Sequence, residues 1–161
     1  MINPAECFAA PVGAAKRLTL VLPRTEYEYR SLIVTTGERP VLFCLDDYPN
    51  LGRFLAFECQ ANESWKGLHI PDVRIELDET SLHDADRTFV PLGAMVRFED
   101  KLILRANFEG HAPPANGSVI LSGLPACTTD QRAYFLKWQI VLGEGSETRV
   151  LAKVNVTPNA S

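Results

Sequence analysis

An acidic stretch between residues 76 and 86 most resembles a set of metal ligands. Its side chains are Glu76, Asp78, Glu79, His83, Asp84 and Asp86. Carboxylates with one imidazole on a loop bind hard or borderline cations, so His83, Asp84 and Asp86 are candidate ligands of a metal-dependent hydrolase. The spacing matches no EF-hand loop, because no glycine lies at the turn position and no glutamate closes the loop. The alternative is a solvated acidic loop in which Asp and Ser81 cap a helical turn.

Nucleophilic catalysis has weaker support in the sequence. There is no G-x-S-x-G motif, and with three histidines in the chain any Ser-His or Cys-His pair would be arbitrary. Cys44 and Cys59 lie in apolar segments, where a thiol behaves as a small hydrophobic group. The sequence therefore favours a non-catalytic protein, and we expect no cofactor.

Three basic residues, Lys137, Arg149 and Lys153, lie on the polar side of a predicted hairpin. The predicted pairing places Lys137 directly opposite Lys153, and Arg149 opposite Val141. Like charges that face each other across two strands destabilise a sheet unless an anion or a neighbouring acid offsets them. This side is therefore predicted to bind an acidic partner, for which another copy of the chain is one candidate. In the alternative, an Asp or Glu from an adjacent strand completes a mixed ladder.

Aromatic residues supply a second set of candidate contacts. Tyr27 and Tyr29 alternate with charged residues, so both phenols project to one side, and Trp65 lies in a predicted loop from Ala61 to Gly67. Exposed aromatic side chains anchor protein interfaces and stack on sugars. Tyr27, Tyr29 and Trp65 are therefore predicted to bind a protein or a carbohydrate, unless they pack in the core.

The hairpin that would carry the basic residues is the clearest structural signal in the chain. Apolar residues alternate with polar ones from Tyr134 to Leu142 and again from Val150 to Val156. A loop from Gly143 to Glu147 would pair Leu142 with Thr148, and each apolar residue with another: Ile140 with Val150, Trp138 with Ala152 and Leu136 with Val154. The pattern indicates a hairpin with one buried face.

Short runs rich in Val, Ile, Leu and Phe continue this pattern through the rest of the chain. Val41 to Asp46 and Arg53 to Cys59 are apolar on both parities, which predicts central strands joined in a hairpin. In the next two runs, 94–98 and 102–108, apolar residues also alternate with polar ones. Matching apolar residues across these two runs predicts a three-residue loop from Glu99 to Lys101. We expect an all-β antiparallel sandwich or partly open barrel of about nine strands, with at most short helical turns, one of them within 78–87.

Domain organisation follows from length and composition. A chain of 161 residues that is 46% apolar is long enough for one core. We expect an N-terminal arm at 1–16, a single β domain at 17–157 and a short C-terminal tail at 158–161. No stretch approaches the length of a membrane helix.

Charge and cysteine usage limit the partners and the compartment. The formal charge is −4, which argues against general nucleic-acid binding. Residues 1–86 hold 14 acidic and 8 basic residues, a net charge of −6, whereas the remainder holds 6 acidic and 8 basic residues, a net charge of +2. The four cysteines form no CxxC pair and the N-terminus is a poor signal peptide, so we expect a cytoplasmic protein.

Three functional hypotheses follow. The first is a non-catalytic domain that binds a protein partner or forms a homo-oligomer, as an accessory or structural subunit. The second is a β domain that binds a small molecule or a carbohydrate in an aromatic-lined pocket. The third is the metal-dependent hydrolase, which would need a distant histidine to complete its ligand set.

Overall fold

The computed structural model describes residues 18–23, 29–34, 40–46, 54–58, 68–84, 90–98, 101–108, 118–120 and 133–157. Strands dominate these ranges. In chain order they are β1 (Leu18–Leu22), β2 (Ser31–Val34), β3 (Val41–Cys44), β4 (Leu55–Glu58), β5 (Leu68–Pro71), β6 (Arg74–Leu77), β7 (Leu82–Asp84), β8 (Met95–Phe98), β9 (Lys101–Arg105), β10 (Asn107–Phe108), β11 (Ser118–Ile120), β12 (Ala133–Phe135), β13 (Lys137–Leu142) and β14 (Arg149–Asn155). Two 3-10 turns, Glu79–Ser81 and Gly145–Glu147, are the helical elements of the described ranges.

The strands form three sheets. The order is β10-β4-β3-β2-β1-β5 in the first, β11-β9-β8-β12-β7 in the second and β14-β13-β6 in the third. The pairings among these strands are antiparallel except that of β10 with β4, which is parallel. The predicted all-β class is confirmed, but the prediction of about nine strands was too low, because the predicted runs 102–108 and 134–142 each divide into two strands and β5 and β7 were not predicted.

The six-stranded sheet is buried on both faces, as the apolar segments on both parities predicted. Phe43 on one face and Ile33 on the other have no exposed surface. The predicted hairpin between the segments 41–46 and 53–59 is confirmed, since Val41 pairs with Glu58 and Phe43 with Ala56. Apolar side chains are thus buried on both faces of the inner strands of this sheet, and this burial stabilises the fold.

All three sheets contribute to one apolar core. Buried side chains from the six-stranded sheet, such as Leu20, meet Met95 of the five-stranded sheet and Ile140 of the three-stranded sheet in a single cluster. A smaller cluster of Val21, Ile33 and Leu42 lies on the other face of the six-stranded sheet. The main core therefore lies between the six-stranded sheet and the two smaller sheets.

The two smaller sheets are joined by strands that pass from one to the other. The chain leaves β6 in the three-stranded sheet, turns through Glu79–Ser81 and enters β7 in the five-stranded sheet. Likewise β12 of the five-stranded sheet bends at Leu136 into β13 of the three-stranded sheet. Because β6 pairs with β13 and β7 with β12, the two bends lie side by side and form one corner.

Gly93 lies where the three sheets meet. The ring of Phe54 packs against it, so that a Cβ atom at Gly93 would lie 2.4 Å from ring carbons, and its φ of +84° favours glycine. Trp138 Nε1 donates a buried hydrogen bond of 2.8 Å to the Gly93 carbonyl oxygen. Phe54 itself has a φ of 52° and stacks on Phe43 with ring centroids 5.8 Å apart. Aromatic residues of two sheets thus contact the same glycine of the third.

The predicted three-residue loop after β8 was wrong. Phe98 pairs with Lys101 and Val96 with Ile103, so the connection is the two-residue segment Glu99–Asp100. The parity argument assumed one buried face and one exposed face. In the structure Met95 and Val96, on opposite faces, are both fully buried, so parity could not determine the register.

The 134–156 hairpin has its predicted buried face but a different register. Trp138 pairs with Val154 and Ile140 with Ala152, whereas Val141 pairs with Val150. Leu151 is therefore an extra residue, a β-bulge. The bulge reverses the parity of β14 toward the loop, which leaves Val150 46% exposed instead of buried as predicted. The connection also runs one residue longer than predicted, to Thr148, because it contains a 3-10 turn.

Several predictions concern residues outside the described ranges. These are the N-terminal arm at 1–16, the tail at 158–161, and the candidates Tyr27, Trp65 and Asp86. Within the described ranges, no helix is long and apolar enough to cross a membrane.

An ion pair fixes the start of β2 to the end of β3. Arg30 Nη2 lies 2.7 Å from Asp46 Oδ1, and the backbone N–H of Arg30 donates to Asp46 Oδ2 at 2.9 Å. Burial alone would raise the pKa of Asp46, but the hydrogen bonds from the Arg30 side chain and backbone outweigh it and lower that pKa. The charged form of Asp46 is therefore favoured in the folded state.

Gly93→Ala is expected to lower the free energy of unfolding by about 2 to 5 kcal/mol, because it combines left-handed backbone strain with overpacking against Phe54. Gly145→Ala is the matched control, since Gly145 has a φ of +59° but no atom within 4 Å of the position that a methyl group would occupy. It should cost only the backbone strain, about 1 to 2 kcal/mol. Urea unfolding of both variants measures the difference, and equal losses would contradict the packing argument.

Asp46→Asn is expected to cost about 1 kcal/mol at neutral pH, since the ion pair is about one-third exposed. Because the folded-state pKa of Asp46 is depressed, its contribution is complete above the ordinary value of 3.8 and is lost as the pH falls through the folded value. The variant and the wild type should therefore converge in stability as the pH falls below the folded-state pKa of Asp46. Glu144→Gln, in the exposed hairpin loop, is the control, and a difference that persists in acid would contradict the assignment.

Candidate functional site

The outward side of the three-stranded sheet carries two rows of polar residues. In one row Glu76 of β6 lies beside Gln139 of β13, which lies beside Lys153 of β14. In the next row the backbone N–H of Asp78 donates to the Lys137 carbonyl oxygen at 3.0 Å, and Lys137 pairs with Asn155. We call these six residues the charged face: Glu76, Asp78, Lys137, Gln139, Lys153 and Asn155.

The alternation of the strands places these side chains outward. Trp138, Ile140, Ala152 and Val154 occupy the opposite parity and are buried in the core. Lys137, Lys153 and Asn155 are exposed, while Glu76 and Gln139 are half-buried. Burial of the apolar parity thus fixes the polar parity toward solvent.

A groove of about 420 Å³ runs over the charged face and is lined by all six of its residues together with Leu77 and Trp138. This volume lies in the range of sites for small ligands or single side chains of a partner. Its lining includes two carboxylates, two ammonium groups and two amides, but little aromatic surface, since Trp138 is only 2% exposed. The groove therefore suits a polar or charged group.

Both carboxylates of the charged face are held by neutral donors. Gln139 Nε2 donates to Glu76 Oε2 at 3.1 Å. Asp78 Oδ1 accepts from the Thr80 backbone N–H at 2.9 Å and from the Thr80 hydroxyl at 2.6 Å. These bonds from Thr80, assisted by the charge of Lys137, lower the pKa of Asp78. Both acids therefore have hydrogen-bond partners other than the lysines.

The two lysines form no ion pair with any other residue that the structure describes. They lie diagonally across β13 and β14, since Lys137 pairs with Asn155 and Lys153 with Gln139. Diagonal neighbours of this kind have side chains about 7 Å apart. Lys137 lies beside Asp78, whose pKa its charge helps to lower, but within the described ranges neither ammonium group is within ion-pair distance of a carboxylate.

Ser81 fixes the corner beside the charged face. Its hydroxyl donates to the Asp78 carbonyl oxygen at 2.7 Å and accepts from the Lys137 backbone N–H at 3.0 Å. Leu136 N–H donates to the Ser81 carbonyl oxygen, and Val156 N–H to the Leu136 carbonyl oxygen. Ser81 is 7% exposed, so these bonds satisfy backbone groups that the bend would otherwise leave unpaired.

The structure corrects the predicted pairing of the basic residues. Lys137 does not face Lys153, because the longer connection and the bulge shift β14 by up to two residues, and Arg149 pairs with Leu142 instead of Val141. Glu76 of the adjacent strand β6 lies in the row of Lys153 but is separated from it by Gln139, whereas Asp78 lies beside Lys137. The two lysines still share one face, whereas Arg149 is half-buried near the loop.

The remaining predicted contacts are not brought together by the described part of the chain. Tyr29 is half-buried and lies just before β2, a strand of the six-stranded sheet. Tyr27 and Trp65 lie outside the described ranges. The binding role of Tyr27, Tyr29 and Trp65 stays a prediction.

The acidic stretch is divided by the corner. Glu76 and Asp78 lie at the three-stranded sheet, whereas His83 and Asp84 lie in β7 of the five-stranded sheet. The His83 ring stacks on Tyr134 with centroids 5.5 Å apart. Among the described residues, no three His, Cys, Asp or Glu side chains lie close enough to hold a metal ion. Asp86 is outside this set, so the ligand role of His83, Asp84 and Asp86 stays a prediction.

Cys44 is a free, buried thiol in β3. Burial raises its pKa, although a contact of 3.9 Å with the Ser31 hydroxyl acts in the opposite direction. A buried thiol with a raised pKa is a poor nucleophile, so a structural role is favoured.

Sequence reasoning did not select Glu76 as a partner of the basic residues, nor Gln139, Asn155 or Ser81. The alternation of Arg74 and Glu76 with Ile75 and Leu77 was visible in the sequence. It shows which side of β6 is polar, but it does not show which strand lies beside β6. That adjacency joins residues more than 60 positions apart.

Comparison with known proteins identifies a family for this chain. Residues 9–161 match the family described as "Uncharacterised protein y4lG". An "Uncharacterized protein y4lG" from Sinorhizobium fredii (strain NBRC 101917 / NGR234) is 38% identical over 152 residues, which are 94% of this chain and 91% of that protein. The chain belongs to the y4lG family. No solved structure matches it. The matched region of this y4lG family member includes every residue of the charged face.

Ser81→Ala is expected to lower the free energy of unfolding by about 1 to 3 kcal/mol, because the Lys137 N–H loses its acceptor inside a nearly buried corner. Ser146→Ala is the matched control, since Ser146 is the middle residue of the exposed 3-10 turn in the hairpin loop. It should change stability by less than about 0.5 kcal/mol. Denaturant titration of both variants tests this, and a neutral Ser81→Ala would show that the hydroxyl does not hold the corner.

Proposed function

We propose that this chain is a non-catalytic protein-binding domain, an accessory or structural subunit that contacts its partner through the charged face. The partner presents acidic groups to Lys137 and Lys153. The domain acts in the cytoplasm, in keeping with the free thiol of Cys44.

The observation that carries this proposal is the arrangement of charge in the groove. Glu76 and Asp78 are held by Gln139 and Thr80, while Lys137 and Lys153 form no ion pair within the described ranges. An incoming carboxylate therefore gains charge-assisted hydrogen bonds without first breaking an internal salt bridge. Electrostatic complementarity of this kind gives specificity and rapid association more than raw affinity.

The carbohydrate hypothesis has less support from this site. Sugar sites commonly offer an aromatic face for stacking, and the aromatic residue that lines the groove, Trp138, is buried and directed into the core by its hydrogen bond to Gly93. The groove therefore favours a charged partner over a sugar.

Lys153→Glu is expected to weaken association, because it replaces an available ammonium group with a carboxylate that repels an acidic partner. Light scattering at low and high salt measures the native mass of the wild type and the variant. A self-associating wild type should exceed the single-chain mass of 17.8 kDa at low salt and approach it at high salt, since the Debye length falls from about 10 Å at 0.1 M to about 3 Å at 1 M. The variant should remain near the single-chain mass at both.

Glu147→Lys, in the exposed hairpin loop, is the control and should behave as the wild type. If the wild type is monomeric at both salts, the same three proteins are cross-linked in an extract of their own cells. A protein captured by the wild type and by Glu147→Lys but lost with Lys153→Glu would support the proposal. Equal behaviour of Lys153→Glu and wild type in both experiments would overturn it.

A further inference from the structure

The three-stranded sheet has two edges of opposite charge. Within the described ranges, β6 and β14 each pair with β13 and with no other strand. On the outward side the β6 edge carries Glu76 and Asp78, whereas the β14 edge carries Lys153 and Asn155. An edge strand offers unpaired backbone groups to another strand, so each edge is a potential docking surface with its own charge.

The two edges match each other in register. Both strands run antiparallel to β13 and therefore parallel to each other. If a second copy continues the sheet by translation, β14 of one copy lies beside β6 of the next. Each row of residues in one copy then continues into the same row of the next copy. Lys153 therefore lies beside Glu76 of the next copy, and Asn155 lies beside its Asp78.

The remaining rows are compatible with the same junction. The row of Arg74 and Val141 ends at Val150, which is 46% exposed, and the Arg74 guanidinium donates to the Gly143 carbonyl oxygen of its own hairpin. On the core side, Val154 would lie beside Leu77 of the next copy. Apart from the row that ends at Val150, polar residues meet polar ones outward, and apolar residues meet apolar ones inward.

Two β14 edges are a poor match. An antiparallel pair of two β14 strands centred on Lys153 would set the two lysines directly opposite each other, which destabilises a sheet. The bulge at Leu151 further disturbs the β14 ladder. The charges therefore disfavour this two-fold pairing and favour the β14 edge against the β6 edge.

We propose that the occupant of the β14 edge is the β6 edge of a second copy of this chain, in a head-to-tail, parallel continuation of the three-stranded sheet. This rests on the proposed function and names its partner. The junction joins two different edges, so it leaves one edge open at each end and allows further copies to add. Because β6 has only four residues, the interface is small and the association is weak, reversible and sensitive to salt.

Mixing two single variants tests the junction. Lys153→Glu damages the β14 edge and leaves β6 intact, whereas Glu76→Lys damages the β6 edge and leaves β14 intact. Each alone should remain near 17.8 kDa, while the wild type should grow with concentration and show no plateau at the dimer. An equimolar mixture pairs opposite charges at both kinds of junction, because the substituted β14 edge of one variant also matches the substituted β6 edge of the other, so its mass should grow with concentration as that of the wild type does.

The double variant Glu76→Lys with Lys153→Glu should recover growth, because the junction again pairs opposite charges. Urea unfolding of each variant checks that all are folded, and Glu147→Lys serves as the charge-reversal control. If the wild type assembles but the mixture stays monomeric, edge pairing is wrong while the proposed function stands. If the wild type is monomeric and captures a different protein through Lys153, the second copy is likewise overturned. If Lys153→Glu behaves as wild type throughout, both proposals fail.

Discussion

The hydrogen bond from Trp138 Nε1 to the Gly93 carbonyl oxygen is the contact on which the arrangement of the sheets depends. It lies in the core, where an unpaired indole N–H or carbonyl would cost about 1 to 3 kcal/mol. The same glycine has no side chain to separate it from the Phe54 ring, so Trp138 of the three-stranded sheet and Phe54 beside β4 both contact the turn that precedes β8. Trp138 lies on the inner face of the three-stranded sheet, so this hydrogen bond ties that sheet to the turn before β8.

The charged face follows from this constraint. Once Trp138 and Ile140 are held inward, the alternate residues Lys137 and Gln139 must face solvent. The Ser81 corner then brings β6 alongside β13, so that Glu76 meets Gln139 and Asp78 meets Lys137. A polar surface with two acids at one edge and a lysine at the other is thus the outer side of the same strands whose inner side forms the core. The backbone hydrogen bonds between β6, β13 and β14 therefore hold both the core residues and the charged face in place.

The proposed junction between copies uses this arrangement again. Within the sheet, Gln139 separates Glu76 from Lys153 by two strand spacings, or about 10 Å, too far for a direct ion pair. Continuation of the sheet would place the same two side chains one spacing apart, about 4.8 Å. The intermolecular contact would therefore supply the ion pair that the single chain cannot form. A single exposed pair contributes at most about 1 kcal/mol, which fits a reversible assembly better than a permanent one.

The sequence by itself determined the all-β class, the buried parity of residues 136–140 and 152–156, the hairpin between β3 and β4 and the helical turn after residue 78, because each depends on local alternation or turn chemistry. It could not determine the pairing register of β13 with β14, since a 3-10 turn and a bulge at Leu151 each displace the strand without altering its apolar pattern near Trp138. It could not determine the length of the loop between β8 and β9, because Met95 and Val96 lie on opposite faces of β8 and are both buried. Nor could it place Glu76 beside Gln139, since that adjacency depends on two bends meeting at one corner. Periodicity reports which side of a strand is buried, whereas only tertiary packing decides which strand lies next to it, and the charged face is made of such adjacencies.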